Sequence, residues 1–79
     1  MIKVGSFKRF EKGDRVRMKA SAKVYCLFGD AYGELFIVEA GTIGVVTYWH
    51  HGNPATRYDV NFEGHAHILA PYHDHLELV

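Results

Sequence analysis

The sequence predicts an all-β fold, a small barrel of five short strands with one helical turn before the last of them. Three observations predict it. Several short segments alternate apolar and polar residues with a period of two, and none carries a helical period of ordinary length. Gly, Pro, Asn and Asp separate those segments at short intervals, where turns need them. A chain of 79 residues has room for one thin core and no space for a separate catalytic or regulatory module, so these short segments belong to a single small domain. One domain over residues 1–79 is expected, with residues 1–7 as a loose N-terminal extension and no internal repeat.

The elements follow in order. Phe7-Lys8-Arg9-Phe10-Glu11-Lys12 leads into Gly13-Asp14, a turn that opens the first strand. From residue 14 to 19, Arg15, Arg17 and Lys19 alternate with Val16 and Met18, which puts charge on one face and apolar groups on the other. Residues 20–40 are a long excursion. Its apolar segments 23–28 and 34–39 flank Gly29-Asp30-Ala31-Tyr32-Gly33, and together they predict a ragged hairpin. Gly41-Thr42 opens residues 43–49, β-branched and aromatic, as a central strand in which Gly44 suits a bulge or strong bend. His50-His51-Gly52-Asn53-Pro54 is turn material, and Tyr58, Val60 and Phe62 then alternate with Arg57, Asp59 and Asn61 in a half-buried strand. Glu63-Gly64 suits a two-residue hairpin, with residues 65–70 returning antiparallel until Pro71, which has no backbone donor, ends the pairing. Pro71-Tyr72-His73-Asp74-His75 makes one helical turn, and residues 76–79 close as the last strand. Five strands, a long first excursion and a turn before the end describe a small SH3-like barrel.

Nine Lys and Arg balance nine Asp and Glu, so no net field draws in a polyanion, which argues against nucleic acid or an anionic membrane as partner. The residues that would carry nucleic-acid binding are Arg15, Arg17 and Lys19 on one strand face, a strip more often simply solvated. Cys26 is the one cysteine; it can form neither an internal disulfide nor a two-cysteine redox site, and it reads as a small core or semi-buried residue. A reducing compartment follows, and the cytoplasm is the expected location. The densest apolar run, Leu35-Phe36-Ile37-Val38, is far short of the ~20 residues that span a bilayer, so no membrane anchoring is expected.

Histidine is the unusual component, with six copies, each able to gain a proton just below neutrality. His65 and His67, two apart on an expected strand, and His73 and His75 beyond the next turn could offer imidazoles to zinc, nickel or copper. Solvated or hydrogen-bonded histidines around a barrel mouth are the plainer account. Tyr25, Phe28, Tyr32, Tyr48, Trp49, Tyr58 and Tyr72 are more aromatics than so small a core encloses, so some lie at the surface, where amphipathic rings anchor protein contacts. Tyr48 and Trp49 point to opposite faces of one strand.

Gly13-Asp14-Arg15-Val16-Arg17, Ser21-Ala22-Lys23-Val24-Tyr25, Gly41-Thr42-Ile43-Gly44-Val45-Val46, Trp49, Val60-Asn61-Phe62-Glu63 and His75-Leu76-Glu77-Leu78-Val79 occur in this order. In that order they resemble the variable chain of ferredoxin:thioredoxin reductase, in the electron-transport accessory group of SH3-like barrels. The stretch from Gly33 to Val46 and Tyr58-Asp59-Val60-Asn61-Phe62 are similar also to the nitrogenase-maturation Z protein. Both resemblances imply a non-catalytic barrel, without a cofactor of its own, that docks on a metallocluster protein; in the reductase family the iron–sulfur cluster belongs to the partner chain. His65-Ala66-His67 and Pro71-Tyr72-His73-Asp74 depart from that pattern. Gly13 to Lys19 also look like the type II dihydrofolate reductases, tetramers of SH3-like chains. Their Val-Gln-Ile-Tyr stretch is His67-Ile68-Leu69-Ala70 here, which removes the ligand-pairing amide and the tyrosine.

The expectation is therefore a non-enzymatic accessory subunit that binds a redox or metallocluster enzyme through Tyr48, Trp49, His50, His65, His67 and Tyr72. A stand-alone binder of metal or a small ligand at His65, His67, His73 and His75 is the second reading, and nucleic-acid binding the third.

Overall fold

The computed structural model describes residues 9–50 and 56–79. The expected N-terminal extension, the approach from Phe7 and Lys8, and the turn His51-Gly52-Asn53-Pro54 lie outside the described residues. Six strands form: β1 (Arg15–Met18), β2 (Ala22–Tyr25), β3 (Leu35–Val38), β4 (Ile43–His50), β5 (Arg57–Phe62) and β6 (Leu76–Leu78). All ladders are antiparallel, and the described residues contain no α-helix. One sheet has the order β5-β4-β1-β6, and β2-β3 make a second. The five-stranded barrel expected from the sequence is not closed by ladder pairing.

Alternation does what it should in β1 and β5. Val16 and Met18 are buried while Arg15 and Arg17 face out, and Tyr58, Val60 and Phe62 all lie in the core. Arg17 stands opposite Glu77 of β6, and their side chains form an ion pair at 2.9 Å. The excursion is the expected hairpin, with Val24 opposite Phe36 and Ala22 opposite Val38 on its inner face. Its tip holds the short 3-10 turn Gly29–Ala31. Cys26, at the end of β2, is buried, and its thiol donates to the carbonyls of Phe28 at 3.1 Å and Ile68 at 3.4 Å. Both sheets contribute to one apolar cluster that includes Val16, Met18, Val24, Val38, Val46, Tyr58, Val60, Phe62, Leu69 and Leu76. Each such side chain contributes about 1.5–3 kcal/mol on burial.

Two expectations are corrected. The bulge in β4 falls between Val46 and Tyr48, where Thr47 donates its hydroxyl to the Asp59 carbonyl at 3.2 Å, and not at Gly44. Gly44 is required for another reason: a Cβ there would sit 2.6 Å from Val60 Cγ1 and 2.9 Å from both Asn61 O and Phe62 Cδ1. β5 passes too close for any side chain.

The second correction concerns the return strand. The turn at Glu63-Gly64 forms, with the His65 N–H donating to Phe62 O at 3.2 Å, but the register it implies, His67 opposite Val60, does not: Leu69 pairs with Val60 and Tyr72 with Arg57 in isolated bridges. The shift of two residues keeps the same face inward and exchanges an imidazole for Leu69, which is fully buried. Pro71 accepts from the Tyr58 N–H at 3.0 Å but has no N–H to return, so the ladder breaks into two bridges instead of ending. Residues 65–68 therefore form no strand, with a bend at 66–67, and His65 and His67 do not share a strand face. The helical turn is present as the 3-10 turn His73–His75 directly before β6.

Candidate protein-interaction surface

The bulge at Thr47 sets the far half of β4 in a new register. Tyr48 stands opposite Asp59, Trp49 opposite Tyr58, and His50 opposite Arg57. Residues opposite one another share a face of the sheet, so Tyr48, His50, Asp59 and Arg57 lie together on one face, Tyr48 and His50 exposed and Asp59 and Arg57 half-buried. Their contacts make two groups, which the pairing of His50 with Arg57 sets side by side. The Tyr48 and His50 rings meet edge to face at 5.1 Å. His50 Nε2 lies 3.2 Å from Asp59 Oδ2. The Arg57 guanidinium lies 4.3 Å from the centre of the Tyr72 ring and donates to the Tyr72 hydroxyl. Tyr72 in turn donates its backbone N–H to His75 Nδ1 at 3.1 Å, which ties the row to the 3-10 turn. Tyr48 is 57% exposed and Tyr72 38%. Arg57 Nε is buried without a hydrogen-bond partner, and its other nitrogens hold the Tyr72 ring in place.

The six expected contact residues are thus divided. Tyr48, His50 and Tyr72 come together. Trp49 faces the other way, half-buried against the core, with the Arg9 guanidinium 3.9 Å from its ring centre. His65 packs against Phe62 at 6.2 Å and His67 against Phe36 at 5.4 Å, at the opposite end of β5 from Arg57 and Tyr72. Arg57 and Asp59 complete the row and were not selected from the sequence, while His75, expected as a metal candidate, meets the row through the Tyr72 N–H. Cross-strand pairing through the bulge is what assigns Arg57 and Asp59, and a bulge position is not visible in composition.

The four histidines considered for a metal do not converge. His73 stacks on Phe10 at 4.7 Å and shares a hydrogen bond between its Nδ1 and the Tyr58 hydroxyl at 2.9 Å, while His75 accepts from Tyr72. Among the described residues, no group of three or more His, Cys, Asp and Glu side chains is placed to hold a metal ion. Beneath the row, Tyr58 Oη also accepts the Phe10 N–H at 3.1 Å. Burial holds the Tyr58 phenol above its ordinary value of 10.0, against the Phe10 N–H and the Arg9 charge, which pull it down. Of the basic strip, Arg15 and Lys19 are exposed and Arg17 is neutralised by Glu77.

A second apolar surface lies on the excursion. Tyr25 and Leu35 stand opposite one another on the outer face of the hairpin beside Ile37, all exposed, with Phe28 and Tyr32 exposed near the tip. What fold and surface define together is an all-β chain that presents aromatic and ionic side chains on two faces. Comparison with protein-family models, with curated proteins and with solved structures finds no match. No described helix is long and apolar enough to cross a membrane.

Proposed function

We propose that this chain is a non-catalytic, SH3-like accessory module of the cytoplasm that docks on a redox or metallocluster enzyme, the partner holding any iron–sulfur cluster. The observation that carries the interaction role is the row Tyr48, His50, Asp59, Arg57 and Tyr72. Aromatic rings that shed water easily are interleaved there with an imidazole, a carboxylate and a guanidinium that orient a partner, the composition of a contact centre with a polar edge. The strand order β5-β4-β1-β6, the hairpin excursion after β1 and the 3-10 turn before β6 support the SH3-like reading. The resemblance to accessory chains of electron transport supports the class of partner.

The test is affinity capture from the source cell with the native chain and with Tyr48→Ala and Tyr72→Ala. We expect stoichiometric recovery of an enzyme with a bound redox centre, and each substitution should weaken the isolated complex about tenfold or more without lowering the thermal midpoint. Both variants binding like the native chain would remove the row as the site. A partner without a redox centre would remove the proposed class, and a native homo-oligomer that reduces dihydrofolate would replace the whole reading.

A further inference from the structure

The hairpin of β2 and β3 has an unused edge. Cys26 donates its N–H to Glu34 O at 2.9 Å, which sets the phase of the ladder. By the alternation of an antiparallel pair, Phe36 and Val38 then exchange their backbone bonds with β2, and the N–H and C=O groups of Leu35 and Ile37 point away from it. β3 has one ladder partner, and no backbone bond from the other described elements reaches these two residues. The matching edge of β2 is covered, since Ala70 donates to Tyr25 O at 2.8 Å.

Protein edges are ordinarily protected by lysine, proline, a bulge or a covering loop. β3 carries none of these; it is four apolar residues, with Ile37 60% and Leu35 49% exposed beside the Tyr25 ring. The charges on β3 and its flanks are of one sign, with Lys23 of β2 standing opposite Ile37 on the outer face. Glu34 and Glu39 flank the strand, and Asp30 is exposed in the 3-10 turn beside it. Neither Glu34 nor Asp30 has a side-chain partner among the described residues, while Glu39 accepts the Ser21 hydroxyl at 3.2 Å. These carboxylates select the occupant. A second copy, matched Leu35 to Ile37 across a two-fold axis, would set each Glu34 and the other Glu39 at neighbouring positions on opposite faces, which adds acidic charge at both ends of so short a pair and no cation from β3 to offset it. A segment bearing cations at those places meets attraction instead.

We propose that the β3 edge binds an extended segment of another protein as an added strand, the segment presenting apolar residues at alternate positions between flanking Lys or Arg. Backbone bonds to Leu35 and Ile37 supply the pairing, their side chains with Tyr25 cover the apolar positions, and Glu34 and Glu39 receive the cations. This surface is separate from the β4–β5 row, and either can fail alone.

The probe is the peptide acetyl-Lys-Val-Thr-Val-Thr-Val-Lys-amide, titrated into the isotope-labelled full chain and read by amide shifts, with a second peptide in which Glu replaces both Lys. We expect the Leu35 and Ile37 amides to exchange quickly in the free chain and to shift and become protected with the basic peptide, which should bind about tenfold tighter than the acidic one at low salt. Ile37→Pro removes only the outward N–H, so it should fold and lose binding. Should that variant unfold, Ile37→Lys, which leaves the backbone intact and puts a like charge against the basic segment, should lose binding as well. Glu34→Lys should abolish the preference between the peptides, and Glu34→Lys with Glu39→Lys should reverse it. Slow exchange at Leu35 and Ile37 in the free chain, no shift at millimolar peptide, shifts confined to other strands, equal binding of both peptides, or a concentration-dependent dimer paired through β3 would each overturn the proposal.

Discussion

Tyr58 is the residue on which the interior and the candidate row both rest. Its ring fills the core beneath β4 and β5, and its hydroxyl holds the Phe10 N–H and His73 Nδ1 at once. Tyr58→Phe keeps the ring and removes the hydroxyl that the Phe10 N–H and His73 Nδ1 both use, so urea denaturation should show a loss of about 1–3 kcal/mol. The phenol also titrates with the fold. Burial raises its pKa, so the unfolded chain ionises first as pH rises through 10.0, and native stability is complete below that value and declines above it. In Tyr58→Phe the decline above pH 10 should be smaller, measured as the change of the denaturation midpoint between neutral and alkaline pH. An equal decline in both proteins would show that another group sets the alkaline limb.

At the scale of elements, β4 is the strand that organises the molecule. Its first half pairs with both β1 and β5, and its second half pairs with β5 alone after the bulge at Thr47. Gly44 and the bulge answer different needs, one letting β5 approach and the other turning Tyr48 and His50 outward. Gly44→Ala must push back Val60, Asn61 and Phe62, two of them core side chains and one a backbone carbonyl. A cost of about 1–3 kcal/mol in chemical denaturation is expected, with native amide shifts displaced along β5. A neutral substitution would mean that β5 yields at this point. The ion pair of Arg17 and Glu77 lies at the surface, with both side chains more than 40% exposed, so a double-mutant cycle should return less than about 1 kcal/mol and fall further with salt.

For the whole molecule, the segment from Leu69 to Tyr72 matters more than its lack of regular strand suggests. Leu69 pairs with Val60, Ala70 bonds Tyr25 and Pro71 accepts from Tyr58, so four residues attach the hairpin to the larger sheet. Leu69→Ala leaves a cavity where the two sheets share a core, and a loss of about 2–5 kcal/mol is expected. In a domain this small that approaches total stability. Circular dichroism and Trp49 fluorescence should still report one coincident transition, because both sheets draw on the same cluster. Two separated transitions would show that the hairpin folds independently.

The sequence by itself determined the all-β class, the faces of β1 and β5, the hairpin excursion, the closing turn and the burial of Cys26, because each depends on neighbours a few residues away. Alternation in Arg15-Val16-Arg17-Met18 and in Tyr58-Asp59-Val60-Asn61-Phe62 states which side faces the core without reference to any other strand. Tertiary structure alone decided what Gly44 is for, where β4 bulges, that Leu69 and not His67 faces Val60, and that Arg57 and Asp59 join Tyr48, His50 and Tyr72. It also separated Trp49, His65 and His67 from that row, and left the outer edge of β3 without a partner strand among the described residues. These are matters of register and close approach between segments distant along the chain. A shift of two residues leaves the alternating pattern unchanged, so the choice falls to the packing of Leu69 into a core that forms only when both sheets are in place.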